Sequence, residues 1–293
     1  MKAVKAIEVI DLKKYFGNTR AIDGLTFSVN PGAIFGFLGP NGAGKTTTIR
    51  CLMDFIRPTG GQIKILGLDA QKNTVELKSK IGYLASDPRL YDNWNAREHI
   101  KLIEKIRGRS NRVSDLAEKL GANLGDKIKT LSTGNKQKIS LILALMHDPE
   151  ILILDEPTTG LDPLLQNTIY EILTDMKNRG KTIFMSSHNL TEVEKICEKA
   201  AIIRNGQLVA VEDIRELHKK RIYLVEARFK TAIDQGKIKE IDNCEINNFQ
   251  KNSVTLTVRG NVDRLVKLFA KEDILDLTIE HAGLDKIFME FYK

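Results

Sequence analysis

The sequence predicts an α/β fold built around a buried parallel sheet, with a smaller α+β domain after it. Two uninterrupted apolar runs, Ile34–Leu38 and Ile151–Leu154, have the composition of strands that are buried on both faces. Strand-like and helical stretches alternate around them, which is the pattern of strand–helix–strand units. The chain has 293 residues, enough for one large domain and one small one. We therefore predict a first domain at residues 1–220 and a second at residues 221–293.

The elements of the first domain follow from short stretches that favour strands, turns or helices. The segment Gly17-Asn18-Thr19 is turn-rich, and Asn205-Gly206 is a strong two-residue hairpin signal. In chain order we predict strands at Val4–Ile10, Leu25–Val29, Ile34–Leu38, Gln62–Leu66, Ile151–Leu154, Thr182–Ser187, Ala201–Arg204 and Gln207–Val211, with helices at Lys45–Asp54 and Leu165–Arg179.

A helical subdomain interrupts this pattern at residues 88–150. Helical spacing dominates from Trp94 to about Met146, because isoleucines recur at a spacing of three and leucines at a spacing of four. The residues concerned are Ile100, Ile103 and Ile106, followed by Leu116, Leu120 and Leu124.

The second domain shows strand and helix signals in alternation. Two runs place apolar side chains on one face of a strand: Val254, Leu256 and Val258, then Leu275, Leu277 and Ile279. Helical stretches are predicted at Val262–Ala270 and Leu284–Tyr292. This pattern indicates a small α+β domain whose role is either to contact a partner or to stabilise the protein.

Composition excludes several classes of protein. Apolar residues make up 42% of the chain and charged residues 28%, so a sizeable core is expected. Since no apolar run approaches the roughly 18 residues of a membrane-spanning helix, and the first eight residues lack an apolar signal core, we expect a cytoplasmic protein. The three cysteines have neither zinc nor disulfide spacing. The net charge of +7 is spread along the chain, and no nucleic-acid partner is expected.

A glycine-rich segment after the strand Ile34–Leu38 matches the phosphate-loop pattern G-x-x-x-x-G-K-[ST]. Its glycines let backbone N–H groups converge on a phosphate, and the helix that follows adds positive potential. Lys45 is expected to reach the β- and γ-phosphates of ATP, Thr46 to ligate Mg²⁺ and Thr47 to bond the α-phosphate. The predicted ATP-binding residues are Gly39, Pro40, Asn41, Gly42, Ala43, Gly44, Lys45, Thr46 and Thr47.

Two carboxylates follow the strand Ile151–Leu154. Ligands of open parallel sheets bind at the carboxyl ends of the strands, so Asp155 and Glu156 are expected at the phosphate site. Asp155 is predicted to hold the Mg²⁺ ion through its water shell. Glu156 is predicted to polarise the attacking water as a general base.

The segment between these motifs resembles the signature of the ABC (ATP-binding cassette) ATPases, a resemblance that covers residues 5–215. Their Leu-Ser-Gly-Gly-Gln signature opens a helix that caps the γ-phosphate of ATP bound to the opposite subunit. In Leu131–Lys138, Ser132 and Gly134 match this signature, whereas Thr133 and Asn135 depart from it. The resemblance implies a phosphate-loop ATPase core with an antiparallel β subdomain and a helical insert.

Further positions of the family fall in the same order. Asp162, in Thr159–Asp162, resembles the D-loop aspartate that couples the two sites of a dimer. His188 resembles the switch histidine that contacts the γ-phosphate and positions the water, which would make Lys45, Glu156 and His188 the catalytic set. Phe16 stands where an aromatic ring stacks on adenine, with Tyr15 as the alternative.

A further departure from the family lies at the position of the Q-loop. The Q-loop glutamine should follow Ile81–Ala85, where this chain has Ser86 and then Asp87. Serine is too short to reach Mg²⁺ as glutamine does. We therefore expect weaker coupling between partner contact and hydrolysis.

The resemblance implies an ATP-hydrolysing subunit with Mg²⁺ and a separate integral-membrane permease. Lys136-Gln137-Lys138, Ser186–Leu190 and the ending Gly283–Phe288 resemble exporters of drugs, antibiotic peptides and lipids. Two cassettes, identical or different, would pair at the inner face of the cell membrane and contact the permease near Asp87–Glu98. The alternative is a soluble ABC ATPase that acts on ribosomes or DNA.

Overall fold

The computed structural model describes residues 4–214, 216 and 222–281 and forms two compact units, Met1–Glu212 and Asp213–Lys293. In chain order the first unit contains β1 (Ile7–Phe16), β2 (Thr19–Val29), β3 (Ile34–Leu38), α1 (Lys45–Leu52), β4 (Gly60–Ile65), β5 (Leu68–Asp69), α2 (Thr74–Lys80), β6 (Ile81–Leu84), α3 (Ala96–Arg107), α4 (Val113–Lys119), a 3₁₀ turn (Ile128–Thr130), α5 (Thr133–Leu145), β7 (Ile151–Asp155), α6 (Pro163–Asn178), β8 (Thr182–Ser187), α7 (Leu190–Ile196), β9 (Lys199–Arg204) and β10 (Gln207–Asp213).

Two sheets organise the first unit. An antiparallel sheet has the strand order β2-β1-β4-β5, and a second sheet has the order β10-β9-β3-β8-β7-β6. Strands β9, β3, β8, β7 and β6 are parallel, so their carboxyl ends share one edge. This arrangement confirms the predicted α/β core with an antiparallel β subdomain.

Aromatic side chains join the two sheets. Phe27 on β2 packs against Phe35, Phe37 and Phe184, with ring centroids between 5.3 and 6.0 Å apart. All four rings are buried. Because β3 and β8 carry three of these rings, the core fixes the two strands that lead to the phosphate loop and to His188.

The helical insert forms α3 to α5. Helix α3 begins with a capping box, in which Asn95 accepts from the N–H of Glu98 and Glu98 accepts from the N–H of Asn95. The regular spacing of isoleucines predicted a helix, which α3 confirms, but of these three isoleucines only Ile100 is buried. Ile106 is 75% exposed, because positions spaced by three turn gradually around a helix of 3.6 residues per turn.

Several elements begin or end at residues other than those predicted. Strand β8 matches its prediction, whereas β1 begins at Ile7 and continues to Phe16, because the polar residues Lys13 and Lys14 pair with β2. Backbone pairing with β2, rather than burial of side chains, therefore keeps this polar end of β1 in the strand conformation. The Asn205-Gly206 turn joins β9 and β10 as predicted, with φ of 50° and 75°.

The second unit contains β11 (Ile222–Phe229), α8 (Gln235–Lys239), β12 (Cys244–Gln250), β13 (Ser253–Arg259), α9 (Asp263–Phe269) and β14 (Ile274–His281). The antiparallel order β12-β13-β11-β14 is the ferredoxin-like β-α-β-β-α-β arrangement. Val254, Leu256 and Val258 lie in its core, as predicted.

One strand prediction in this unit needs correction. Leu275 was expected to share a face with Leu277 and Ile279, but it is 61% exposed. The pairing of β11 with β14 shifts register between Arg228 and Phe229, so Leu275 falls at a bulge. The predicted helix Leu284–Tyr292 and the ending Gly283–Phe288 lie outside the described residues.

Within the described ranges, no helix combines the length and the apolar character that crossing a membrane requires.

Candidate active site

The carboxyl edge of the parallel sheet gathers four segments of the first unit. The phosphate loop follows β3, Ser86 follows β6, Asp155 ends β7 with Glu156 directly after it, and His188 follows β8. Adjacent parallel strands deliver their last residues to the same edge, which is where open α/β sheets bind ligands. The topology therefore brings together motifs that are far apart in sequence.

The phosphate loop is held tightly against its surroundings. The N–H of Gly39 donates to the carbonyl of Ser187 at 3.2 Å, and the carbonyl of Ala43 accepts from the N–H of Gly206 at 3.0 Å. A Cβ on Gly39 would lie 2.5 Å from the carbonyl oxygen of Ile203. Gly44 has φ of 106° and a Cβ there would lie 2.6 Å from the carbonyl oxygen of Ala21. Both positions therefore require glycine.

Lys45 is buried at the start of α1 and folds back over the loop. Its Nζ atom donates to the carbonyls of Gly39 at 2.8 Å and Pro40 at 3.2 Å, and lies 3.2 Å from Oε1 of Glu156. The ammonium group is thus positioned above the loop by neutral and charged acceptors together.

Glu156 links the lysine to the histidine. Its Oε2 atom lies 3.0 Å from Nδ1 of His188 and accepts from the hydroxyl of Thr159 at 3.1 Å. Its backbone has φ of 52°, an unusual conformation for a residue with a side chain, and its N–H donates to the Ser186 hydroxyl at 3.0 Å. This turn lets two successive residues, Asp155 and Glu156, serve the same site.

Opposing effects act on the ionisation of Glu156. Burial acts to raise the pKa of its carboxyl group, but the hydrogen bond and charge of Lys45, followed by His188 and Thr159, outweigh it and lower the pKa. The carboxylate is therefore ionised and able to accept a proton. Movement of Lys45 towards a bound phosphate would remove the largest of the lowering effects and make Glu156 more basic.

Asp155 has one oxygen that its surroundings leave unsatisfied. Its side chain is buried, and Oδ1 accepts from the Ser186 hydroxyl at 2.6 Å. Oδ2 is buried and has no hydrogen-bond partner. A buried carboxylate oxygen without a donor calls for a cation or an ordered water, so these residues fit a divalent metal ion. The described part of the chain holds no cluster of three or more His, Cys, Asp or Glu residues that could bind a metal. A single buried carboxylate oxygen is compatible with an ion such as Mg²⁺, which takes few protein carboxylates and completes its shell with phosphate and water.

A cleft of about 410 Å³ lies over the loop. Its lining includes many of the predicted residues and some that the sequence did not single out for binding. The predicted ones are Asn41, Gly42, Gly44, Lys45, Thr46, Thr47 and Glu156; the others are Thr19, Arg20, Ala21, Asn205 and Gly206.

The predicted adenine-stacking residue lies beside this cleft. Phe16 ends β1, is 51% exposed and pairs with the lining residue Thr19. The ammonium of Lys14 lies 4.9 Å from the centre of its ring. The alternative, Tyr15, is partly buried and its hydroxyl donates to Asp23 at 2.6 Å. Because the Tyr15 side chain is held by its hydrogen bond to Asp23, we favour Phe16 as the residue whose ring stacks on adenine.

The signature residues occupy a separate position. Ser132 caps α5, and its Oγ atom accepts from the N–H of Asn135 at 3.3 Å. Thr133 is exposed beside it, and a Cβ on Gly134 would meet only Leu161, at an ordinary 3.5 Å. None of the four signature residues is among those that line the cleft.

Asp162 and Ser86 are two further residues that the sequence predicted for the site. Asp162 caps α6, where Oδ1 accepts from the N–H of Leu165 at 3.0 Å. Ser86 is exposed after β6, the strand that pairs with β7. The structure places Ser86 at the edge that holds Asp155.

The sequence did not indicate a role in the site for Ser186 or Thr159. Ser186 donates to Asp155 and accepts from the N–H of Glu156, and Thr159 donates to Glu156. Small hydroxyl residues after a strand have no distinctive pattern of their own. Only their place beside His188 and Glu156 could have suggested such a role.

Comparisons with known proteins bear on the family of the chain. The family description "ABC transporter" matches residues 22–159. The bacitracin transport ATP-binding protein BcrA of Bacillus licheniformis is 35% identical over 97% of this chain and 96% of its own length. The linearmycin resistance ATP-binding protein LnrL of Bacillus subtilis is 36% identical over 70% of this chain and 68% of its own length.

Solved structures give the same result. The structure of an ATP-binding subunit of an ABC transporter superposes with a TM-score of 0.68 and 28% identity, covering 73% of this chain and 92% of that one. The family match spans both the phosphate loop and Glu156. The chain therefore belongs to the ABC transporter family, as one of its ATP-binding and ATP-hydrolysing subunits.

Proposed function

We propose that this protein hydrolyses ATP in the cleft over residues 39–47 and thereby drives a separate membrane permease that exports its substrate. The proposal rests on the contacts of Glu156 at the carboxyl edge of the sheet. Its Oε1 atom lies 3.2 Å from Nζ of Lys45, and its Oε2 atom lies 3.0 Å from Nδ1 of His188. A lysine, a carboxylate and a histidine so placed provide a phosphate ligand, a base and a group that orients the base.

Thr46 and Asp155 are the residues that would hold Mg²⁺. Thr46 is one of the residues that line the cleft, and Oδ2 of Asp155 is the buried oxygen without a donor. When bound, Mg²⁺ neutralises charge that develops on the phosphates. Ser186 keeps Asp155 in place by donating to its other oxygen.

Hydrolysis then depends on the residues around Glu156. Lys45 turns from the loop carbonyls and Glu156 to the phosphates of ATP. Glu156, freed from that ion pair, accepts a proton from the attacking water, while His188 holds the carboxylate and contacts the γ-phosphate. The backbone N–H groups at residues 42–46 bind the phosphates.

Two cassettes complete the site. Ser132 and Gly134 start a helix that is not part of the chain's own cleft, and Asn135 and Thr133 lie exposed beside them. We propose that these residues cap the ATP of a second cassette, either another copy of this chain or a related one. A structurally similar cassette, 20% identical with a TM-score of 0.66, is a dimer bound to ADP and Pi.

An apolar groove beside β6 and α3 could bind a segment of the permease. A cleft of about 380 Å³ lies between β6 and α3 and is lined by Phe55, Tyr83, Ile103, Ile106 and Arg107, among others. Phe55 is 50% exposed and Ile106 is 75% exposed. Lys78 lies 4.9 Å from the ring centre of Phe55. We propose that it receives an apolar cytoplasmic segment of the permease that carries acidic residues opposite Lys78 and Arg107.

The direction of transport follows the relatives. Proteins named for bacitracin transport, linearmycin resistance and Nod factor export are 35–36% identical to this chain. Export at the inner face of the cell membrane, with the ATPase held there by the permease, is accordingly the arrangement we propose.

Capture from membranes tests the proposal. The tagged chain is purified from gently solubilised membranes of its native host, with and without ATP, and the co-purifying proteins are identified. We expect a multi-span protein that is retained by the control Val75→Glu, at an 87% exposed residue outside the groove, and lost with Ile106→Glu. Recovery of ribosomal or DNA-bound proteins without a membrane protein would overturn it.

A further inference from the structure

A buried carboxylate lies behind the catalytic residues. Glu192 is on α7 and is 5% exposed. Its Oε2 atom accepts from the Ser187 hydroxyl at 2.6 Å, and its Oε1 atom accepts from the Thr158 hydroxyl at 2.5 Å. Both donors are themselves buried. Glu192 therefore binds two segments of chain at once, through short hydrogen bonds to a charged acceptor.

The first of these segments carries the catalytic histidine. Ser187 directly precedes His188, and its Oγ atom also accepts from the N–H of Asn189 at 2.9 Å. The carboxylate thus fixes the hydroxyl that closes the turn around His188. The imidazole, which is 44% exposed, depends on this turn for its distance to Glu156.

The second segment follows the catalytic glutamate. Thr158 lies two residues after Glu156, and its carbonyl accepts from the N–H of Leu161 at 3.1 Å. The carbonyl of the preceding Pro157 accepts from the buried side chain of Gln137, on the helix that Ser132 caps, at 3.2 Å. The segment 157–162 is therefore joined both to Glu192 and to the signature helix α5.

The charge of Glu192 is costly at this position. Burial raises the pKa of its carboxyl group, while the Ser187 and Thr158 hydroxyls and His188 act to lower it, and Glu156 adds to the rise. A carboxylate with only hydroxyl donors is poorly compensated for the loss of water. An apolar residue would fill this helix position at lower cost, so packing alone does not account for a glutamate here.

We propose that Glu192 is a positioning residue for ATP hydrolysis, which ties the turn of His188 to the segment that follows Glu156. The two sides of the catalytic pair then move together, and a shift of the signature helix reaches His188 through Gln137, Pro157, Thr158, Glu192 and Ser187. This inference rests on the roles proposed above for Glu156 and His188.

Kinetics of the purified full-length chain test it. Glu192→Gln keeps the size of the side chain but leaves one oxygen to accept, and Ser187→Ala and Thr158→Val each remove one donor. We expect Glu192→Gln to lower kcat by about tenfold, the effect of losing roughly one charged hydrogen bond in the transition state. The Kd for ATP should change by less than about twofold, because the carboxylate does not touch the nucleotide.

A double variant distinguishes a positioning role of Glu192 from a purely structural one. The double variant Glu192→Gln with Ser187→Ala should be no slower than Glu192→Gln alone, since both changes break the same link. Glu194→Gln makes the same charge change two residues along α7, at a position on a different face of the helix from Glu192, and should keep the wild-type kcat. If Glu192→Gln does not fold, Ser187→Ala and Thr158→Val, measured well below their Tm, carry the test.

Each outcome decides between the alternatives. A wild-type kcat in Glu192→Gln, or in both hydroxyl variants, overturns the proposal, as does an additive double variant. Equal losses of kcat and ATP affinity would assign Glu192 a structural role only. Glu156→Gln is assayed alongside: if that variant hydrolyses ATP at the wild-type rate, the proposed catalytic site itself is wrong.

Discussion

Glu156 occupies the centre of the site because its two oxygens contact Lys45 on one side and His188 on the other. The sequence predicted all three residues: Lys45 from the phosphate-loop pattern, Glu156 from its place after a buried strand, and His188 from the resemblance to the family. It did not predict that Lys45 would rest on Glu156 and on two loop carbonyls. Such a contact depends on backbone directions that only the folded chain defines.

Replacement of Glu156 tests its role at this scale. Glu156→Gln keeps the shape of the side chain and can still contact Lys45, but it cannot take a proton from water. We expect kcat for ATP hydrolysis to fall by about 10²–10⁴-fold, the usual contribution of a general base. ATP binding, measured by equilibrium titration, should persist. Near-normal hydrolysis would remove Glu156 from the mechanism.

Ser86 stands where the resemblance to the family leads us to expect the Q-loop glutamine. It lies exposed at the edge that holds Asp155, and a serine side chain is shorter than that of glutamine. We expect Ser86→Gln to increase the stimulation of ATP hydrolysis by the reconstituted permease, by a few-fold, since a longer side chain can reach the metal site. Unchanged stimulation would contradict this account, and Ser86→Ala is the matched control.

At the scale of elements, side-chain caps define several helix starts. Ser132, Asp162 and Asn95 each accept from a backbone N–H at the start of a helix, as their residue types favour. Positions of elements were predictable for this reason and because buried strands are continuously apolar. The length of β1 was not, because pairing with β2 and β4 rather than composition extends it.

Three helical or strand termini meet at one carboxylate. Asp148, after α5, accepts from Arg112, from Arg179 at 2.7 Å and from Lys181 at 2.9 Å. Burial acts to raise the pKa of Asp148, but the hydrogen bonds of Lys181 and Arg179 outweigh it and lower the pKa below its ordinary value of 3.8. A lowered pKa means that the ionised carboxylate stabilises the fold above that value.

Asp148→Asn should therefore cost stability in a pH-dependent way. We expect the free energy of unfolding at neutral pH to fall by about 1 kcal/mol, a small value because the carboxylate is a third exposed. The difference from wild type should shrink as pH falls below 3.8, where Asp148 gains a proton. Urea unfolding at several pH values measures it, and a difference that stays constant down to the acid range would contradict the assignment.

At the scale of the whole molecule, each unit has its own apolar core. The α+β character of the second unit was predictable from its alternating strands. Its ferredoxin-like strand order was not, because strand order depends on which edges pair after the chain reverses. The register shift at Leu275 could not be predicted either, because the alternation of apolar and polar residues in the sequence does not show where a bulge occurs.

A cavity in the second core tests whether the units are independent. Phe229 and Phe269 are fully buried and pack with ring centres 5.1 Å apart. We expect Phe229→Ala to destabilise the second unit by about 3–5 kcal/mol. The single tryptophan, Trp94, lies in the first unit, so its fluorescence transition should stay unchanged while circular dichroism shows an earlier one. An equal shift in both signals would show that the units unfold together.

ATP bound in this cleft is predicted to close two cassettes on each other. The direct measurement is the molar mass of Glu156→Gln, by light scattering during size-exclusion chromatography, with and without ATP and Mg²⁺. We predict twice the 33.0 kDa of one chain only with nucleotide. Adding Gly134→Asp, where the chain itself leaves room for a side chain, should abolish the dimer. The control Gly125→Asp should preserve it. A Glu156→Gln chain that binds ATP and remains a monomer would contradict the account for a homodimer, and a monomer that also fails to pair with any cassette from its host would contradict it altogether.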